Sequence, residues 1–128
     1  MDSRSLEAPL RLGFLYLALV IVWNAAGLLQ IARGGAAPGP VASPAVIGFS
    51  LLSAAGLLAG ARYWPLLFAG LCGVMVAVAA PSVAKVFTED PGLWPSDAWR
   101  YAGGAVNALG VAAGTWGIFA WLRSRWSA

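Results

Sequence analysis

The segment Tyr101-Ala-Gly-Gly-Ala-Val-Asn-Ala-Leu-Gly-Val-Ala-Ala-Gly-Thr-Trp-Gly-Ile-Phe-Ala-Trp-Leu122 decides how the rest of the chain is read. Along it Gly103, Asn107, Gly110, Gly114 and Gly117 recur at alternating steps of four and three. On a helix those steps leave one narrow stripe almost free of side chains, with a single amide on it. Glycines gathered on one face weaken a helix in water. In lipid the same stripe lets another helix approach closely. The segment therefore predicts a packed membrane helix.

Composition extends that reading to the whole chain. Of its 128 residues 60% are hydrophobic and only 10% charged, against about a quarter charged in a soluble domain. The net charge is +3, but the basic residues stand singly, which argues against a nucleic-acid partner. There is no His, which removes the usual haem, copper and catalytic zinc ligands. Cys72 is the one cysteine, so neither an internal disulfide nor a CxxC redox pair can form, and it reads as a small packing residue. No cofactor and no enzymatic activity are expected. Arg and Ala far outweigh Lys, as in high-GC bacterial coding, and the expected location is a bacterial inner membrane.

Four apolar runs, about 10–32, 45–61, 65–86 and 101–122, are long enough to cross a bilayer core of about 30 Å, the second only barely. They predict a single domain over residues 1–128, an all-α integral membrane fold of four antiparallel helices. The first run is too long for a signal-peptide core and reads as a retained helix. Arg33 to Pro44 is a Gly/Pro linker, with Ser43 placed to cap the second helix and Pro44 at its first position. The Arg62-Tyr63-Trp64 turn is so short that the second and third helices must be neighbours. Pro81 is expected to kink or loosen the end of the third helix. Thr88 to Arg100 forms the longest loop, and Ser96-Asp97 looks like the start of the fourth helix.

Basic residues orient the spans. Arg4, Arg11, Arg62, Arg123 and Arg125 fall on one side, and Arg33, Lys85 and Arg100 on the other, beside Glu89, Asp90 and Asp97. The imbalance predicts both termini in the cytoplasm. Tyr63, Trp64, Trp121 and Trp126 would anchor one interface, and Trp94, Trp99 and Tyr101 the other.

Two sets of residues stand out. Gly103, Asn107, Gly110, Gly114 and Gly117, with Asn24 and Gly27 on the first helix and Gly56 and Gly60 on the second, are expected to pack helices together. The motif Asn-x-x-Gly occurs in both the first and last helices, at Asn24 and Asn107. Antiparallel helices would bring the two amides to one depth, where they would bond each other or a shared partner. With Gln30 and Lys85 they define a candidate polar pocket. Lys85 otherwise snorkels to the outer interface, with Glu89 one turn away. No acidic residue lies within a span, which argues against proton-coupled transport.

The junction Gly60-Ala61-Arg62-Tyr63-Trp64-Pro65-Leu66-Leu67 and the hydropathy layout resemble those of DoxX-like small membrane proteins. That resemblance implies a compact four-helix chain serving as a small subunit of a membrane or quinone-linked redox system. Lacking His and a Cys pair, this chain would take an accessory role. The leading expectation is thus a structural subunit that packs on other membrane-protein subunits or on copies of itself, in contact with membrane lipids. The alternative is a small transporter, channel or lipid/quinone-binding protein using the polar pocket.

Overall fold

Pro9 does not delay the first helix, because a proline in the first turn lacks only an N–H that would have no intrahelical partner anyway. In the computed structural model, which describes residues 3–35 and 42–127, helix α1 runs Glu7–Ala32 after a short 3-10 turn, Ser3–Leu6. Glu7 pairs with Arg11 on its first turn. Leu6 is fully enclosed, so this nominally polar end contributes to the core. The helix stops at Gly34, whose φ of +79° suits a residue without Cβ. The Gly34 N–H donates to the Ile31 carbonyl (3.0 Å) and the Gly35 N–H to the Gln30 carbonyl (2.8 Å), a Schellman closure. The middle of the Gly/Pro linker, 36–41, lies outside the described residues.

Helix α2 spans Pro44–Tyr63 and begins as its sequence predicts: the Ser43 hydroxyl accepts from Ala45 N–H (3.2 Å), with Pro44 at the first position. One residue, Trp64, separates it from α3, Pro65–Thr88. That turn is so tight that a Cβ on Gly60 would sit 2.5 Å from the Phe68 nitrogen. Pro81, expected to kink or loosen the end of α3, does not end it: the helix continues for another seven residues. A turn at Pro91–Leu93, with Asp90 accepting from Gly92 N–H (2.9 Å), leads to α4, Asp97–Trp126. Ser96 caps α4 by accepting from Trp99 N–H (3.4 Å). Each helix outruns its apolar stretch, because caps and first-turn charges extend helices into polar sequence.

Helix α1 packs on α2, α2 on α3, α3 on α4, and α4 closes back on α1. The α3–α4 seam is the most extensive, and the α4 glycines explain it. A Cβ on Gly104 would meet Val86 (2.9 Å), one on Gly114 the Cys72 carbonyl oxygen (2.5 Å) and Val76 (2.7 Å), and one on Gly117 Cys72 Sγ and Phe68. These contacts run through the two helices in opposite chain order. Gly110 and Gly103 instead face α1, under the rings of Tyr16 and Trp23. One stripe thus serves two neighbours, α1 and α3. Phe68, Leu57, Cys72 and Ala113 fill the centre. Outward, Phe49, Leu52 and Phe87 are more than 70% exposed. All four helices are long and apolar enough to cross a membrane.

Candidate functional site

A cavity of about 240 Å³ lies among α1, α3 and α4, in the half of the bundle where α1 and α3 end and α4 begins, here called the outer half. Its polar lining comes from Tyr16 and Asn24 on α1, Ser82 and Lys85 on α3, and Asn107 on α4. Val20, Val46, Val78, Val86 and Val106 supply aliphatic walls, and Trp23 and Trp94 supply aromatic ones. At 1.5 Å per residue, Lys85 lies about 5 Å from the end of α3 and Tyr16 about 24 Å from the end of α1. The cavity therefore has Lys85 near its outer end and Tyr16 at its deep end. It opens beside Val78, which is 60% exposed, and Lys85, which is also exposed.

Three of the four residues expected in a polar pocket meet here. Asn24 lies about 12 Å below the outer end of α1 and Asn107 about 15 Å below that of α4, within one helical turn in depth. Gln30 does not join them. It lines a separate surface hollow with Arg33, Gly35, Pro95 and Trp99, because it sits in the last turn of α1, level with the loops.

The two amides share the cavity without bonding each other among the described residues. Asn24 donates to the Val20 carbonyl (2.9 Å), and Asn107 to the Gly103 carbonyl (2.9 Å). A carbonyl four residues back is within reach of a short polar side chain on a helix, and each amide spends one of its N–H groups there. The Asn24 side-chain oxygen, Oδ1, accepts from Ser43 N–H (3.1 Å), tying α1 to the start of α2. Asn24 is 7% exposed, and its polar groups are satisfied by this arrangement. Ser82 likewise donates to the Val78 carbonyl (3.2 Å).

Three further groups line the cavity without a partner among the described residues: the Asn107 side-chain oxygen, the Tyr16 hydroxyl and the Lys85 ammonium. The Tyr16 hydroxyl has no partner among the described residues, although Tyr16 is only 4% exposed. The hydroxyl oxygen is not enclosed: among the described residues the one fully buried side-chain polar atom without a partner is Arg100 Nε, so the Tyr16 oxygen is open to the cavity. Lys85 forms no ion pair with Glu89 among the described residues, and no acidic side chain lines the cavity.

The aromatic walls do not follow from the sequence pattern. Trp94 reads there as an anchor at the membrane interface, yet it is 8% exposed and folds in from the loop before α4. Trp23 meets Trp99 edge to face, ring centroids 5.3 Å apart, and covers Gly103. A signal for the α1 wall is present in the spacing of Tyr16, Val20, Trp23 and Asn24, which share one helix face. At the rim, Arg100 clamps α4 to α3. It donates to the Val86 carbonyl (3.4 Å), pairs with Asp97 (3.1 Å) and lies over the Tyr101 ring (4.7 Å).

Comparison with protein-family models, curated proteins and solved structures gives no match to this chain.

Proposed function

We propose that this chain is a multi-pass protein of a bacterial cytoplasmic membrane, its four helices antiparallel and both termini cytoplasmic, that binds a small amphiphile in the cavity among α1, α3 and α4. The observation that carries this reading is a cavity holding a cation, two amides and an unpaired phenol inside a bundle whose outer surface is apolar. Four apolar helices and the opposite chain order of the α3–α4 contacts support the antiparallel arrangement. The surplus of Arg beside the termini and the 62–64 turn supports the orientation. A lipid or a quinone-like ring would suit the aromatic and aliphatic walls, and the chain would need no catalytic centre for this role.

The test is extraction. Protein purified in a neutral detergent is treated with organic solvent, and the released molecules are identified by mass spectrometry, beside a Ser82→Trp variant that fills the cavity. A retained amphiphile in the wild type and its loss in the variant are expected. A wild type that carries none and takes none up when offered overturns the reading.

One observation favours the accessory-subunit reading as a second. Gly70, Gly73, Ala77, Ala80 and Ala84 follow the same three-and-four spacing along α3, and a methyl added at Gly70 or Gly73 would have nothing within 4 Å of it. That is the face on which another subunit of a larger, quinone-linked or other membrane complex would pack. Purification as a lone monomer from mild detergent overturns this second reading.

A further inference from the structure

The shape of the cavity restricts what can enter it. At about 30 Å³ per water-sized group, 240 Å³ holds about eight such groups. Its lining on α1 runs from Tyr16 to Asn24 and on α3 from Val78 to Val86, each about 12 Å along the helix. Spread over about 12 Å, that volume has a mean cross-section of about 20 Å², about that of one extended hydrocarbon chain. Two chains side by side do not fit that cross-section, whereas one does.

The chemistry of the lining restricts the ligand's head. Asn24, Ser82 and Asn107 commit donors to their own helices, so a ligand would have to compete with bonds already made. Lys85 offers up to three donors and the cavity's one formal charge. It sits within the last turn of α3, at the depth where the headgroup of a membrane amphiphile would lie. Below it the walls are mainly valine and tryptophan, suited to a hydrocarbon chain.

Resting on the amphiphile-binding reading, we infer that the ligand is a single-chain amphiphile with an anionic head, a carboxylate or a phosphate, held by Lys85 while the half of its chain nearest the head occupies the cavity and the rest lies along the bundle surface. It enters from the side, past the exposed Val78 and Lys85. A charge-assisted hydrogen bond distinguishes an anionic head from a neutral one by about ten- to a hundredfold in affinity.

Binding to the full chain in dodecyl maltoside micelles tests this, with palmitate, hexadecyl phosphate, hexadecanol, acetate and inorganic phosphate as probes and native mass spectrometry as the readout. The two anionic amphiphiles should bind at least about tenfold more tightly than hexadecanol. Lys85→Met should erase that preference by bringing palmitate and hexadecyl phosphate down to the affinity of hexadecanol for the same variant, and Lys85→Arg should keep it. Because Lys85 is exposed, these variants leave the core intact. Hexadecanol binding as tightly as palmitate, with both lost in Ser82→Trp, overturns the anionic head and leaves the cavity reading standing. Acetate or inorganic phosphate binding as well as palmitate overturns the requirement for a chain. If no amphiphile binds the wild type, this inference and the reading beneath it fall together.

Discussion

Replacing Gly114 by Ala tests the packing on which the cavity depends. The new Cβ would lie 2.5 Å from the Cys72 carbonyl oxygen and 2.7 Å from Val76 Cγ2, where ordinary contact begins at 3.4 Å. Val76 can turn aside, but the carbonyl belongs to a helical hydrogen bond and cannot. Helices α3 and α4 must therefore separate by most of an ångström along their largest seam. Overpacking of this kind costs about 1–3 kcal/mol, and a clash with backbone belongs at the upper end. Against it, Gly→Ala gains about 0.5–1 kcal/mol of helix propensity. A net loss of about 1–2 kcal/mol is expected for Gly114→Ala, close to a tenfold change in the folding equilibrium. Gly73→Ala is the internal control. Nothing lies within 4 Å of the methyl it would add, so it should be neutral or slightly stabilising. Reversible unfolding in mixed dodecyl maltoside–SDS micelles, followed by circular dichroism, measures both. Equal stability of the two variants would refute this α3–α4 packing.

Three further outcomes follow from the same contacts. Cys72 is 2% exposed and lies against Gly117, so N-ethylmaleimide should label it only after SDS unfolding; rapid labelling in the folded state would contradict its burial. Asn24→Leu removes the acceptor of the Ser43 N–H, and should cost about 1–3 kcal/mol and speed hydrogen exchange in the first turn of α2. Arg100→Lys keeps the charge but not the planar fork shared among the Val86 carbonyl, Asp97 and the Tyr101 ring. It should lower the thermal midpoint, whereas equal midpoints would mean that the clamp is replaceable by a point charge.

Much of this architecture is legible in the sequence because long apolar helices announce themselves through local features. The apolar runs, the caps at Ser43 and Ser96, and the one-residue turn at Trp64 all depend on neighbours within a few positions. The site is legible where polarity is anomalous: Asn24, Lys85 and Asn107 are conspicuous in apolar segments, and all three line the cavity. Gln30 is conspicuous for the same reason, but two residues from the end of α1 it belongs to the rim. Tyr16, Trp23 and Trp94 escape notice because aromatics are common in membrane segments and at their borders. Whether Trp94 anchors in lipid or turns inward depends on the fold of the loop before α4, which no spacing encodes. The bond expected between the two amides is not made among the described residues, and each amide spends one N–H on the nearer carbonyl of its own helix.

The distribution of the glycines bears on which functional reading is simpler. A surplus of small-residue stripes suggests that some must face another chain. In the structure those of α2 and α4 are consumed internally: Gly56 and Gly60 receive Leu71 and Phe68 of α3, and the α4 stripe receives residues from α1 and α3. The stripe left open is the α3 face with Gly70 and Gly73. A partner is thus no longer needed to explain why the chain is rich in glycine, although one open face leaves room for it. Lys85, exposed in the last turn of α3, suits a helix C-terminus without any ligand, whereas the Tyr16 hydroxyl opens into the cavity without a partner among the described residues. Helix packing alone would favour a phenylalanine at position 16, and a molecule in the cavity would give that hydroxyl a partner.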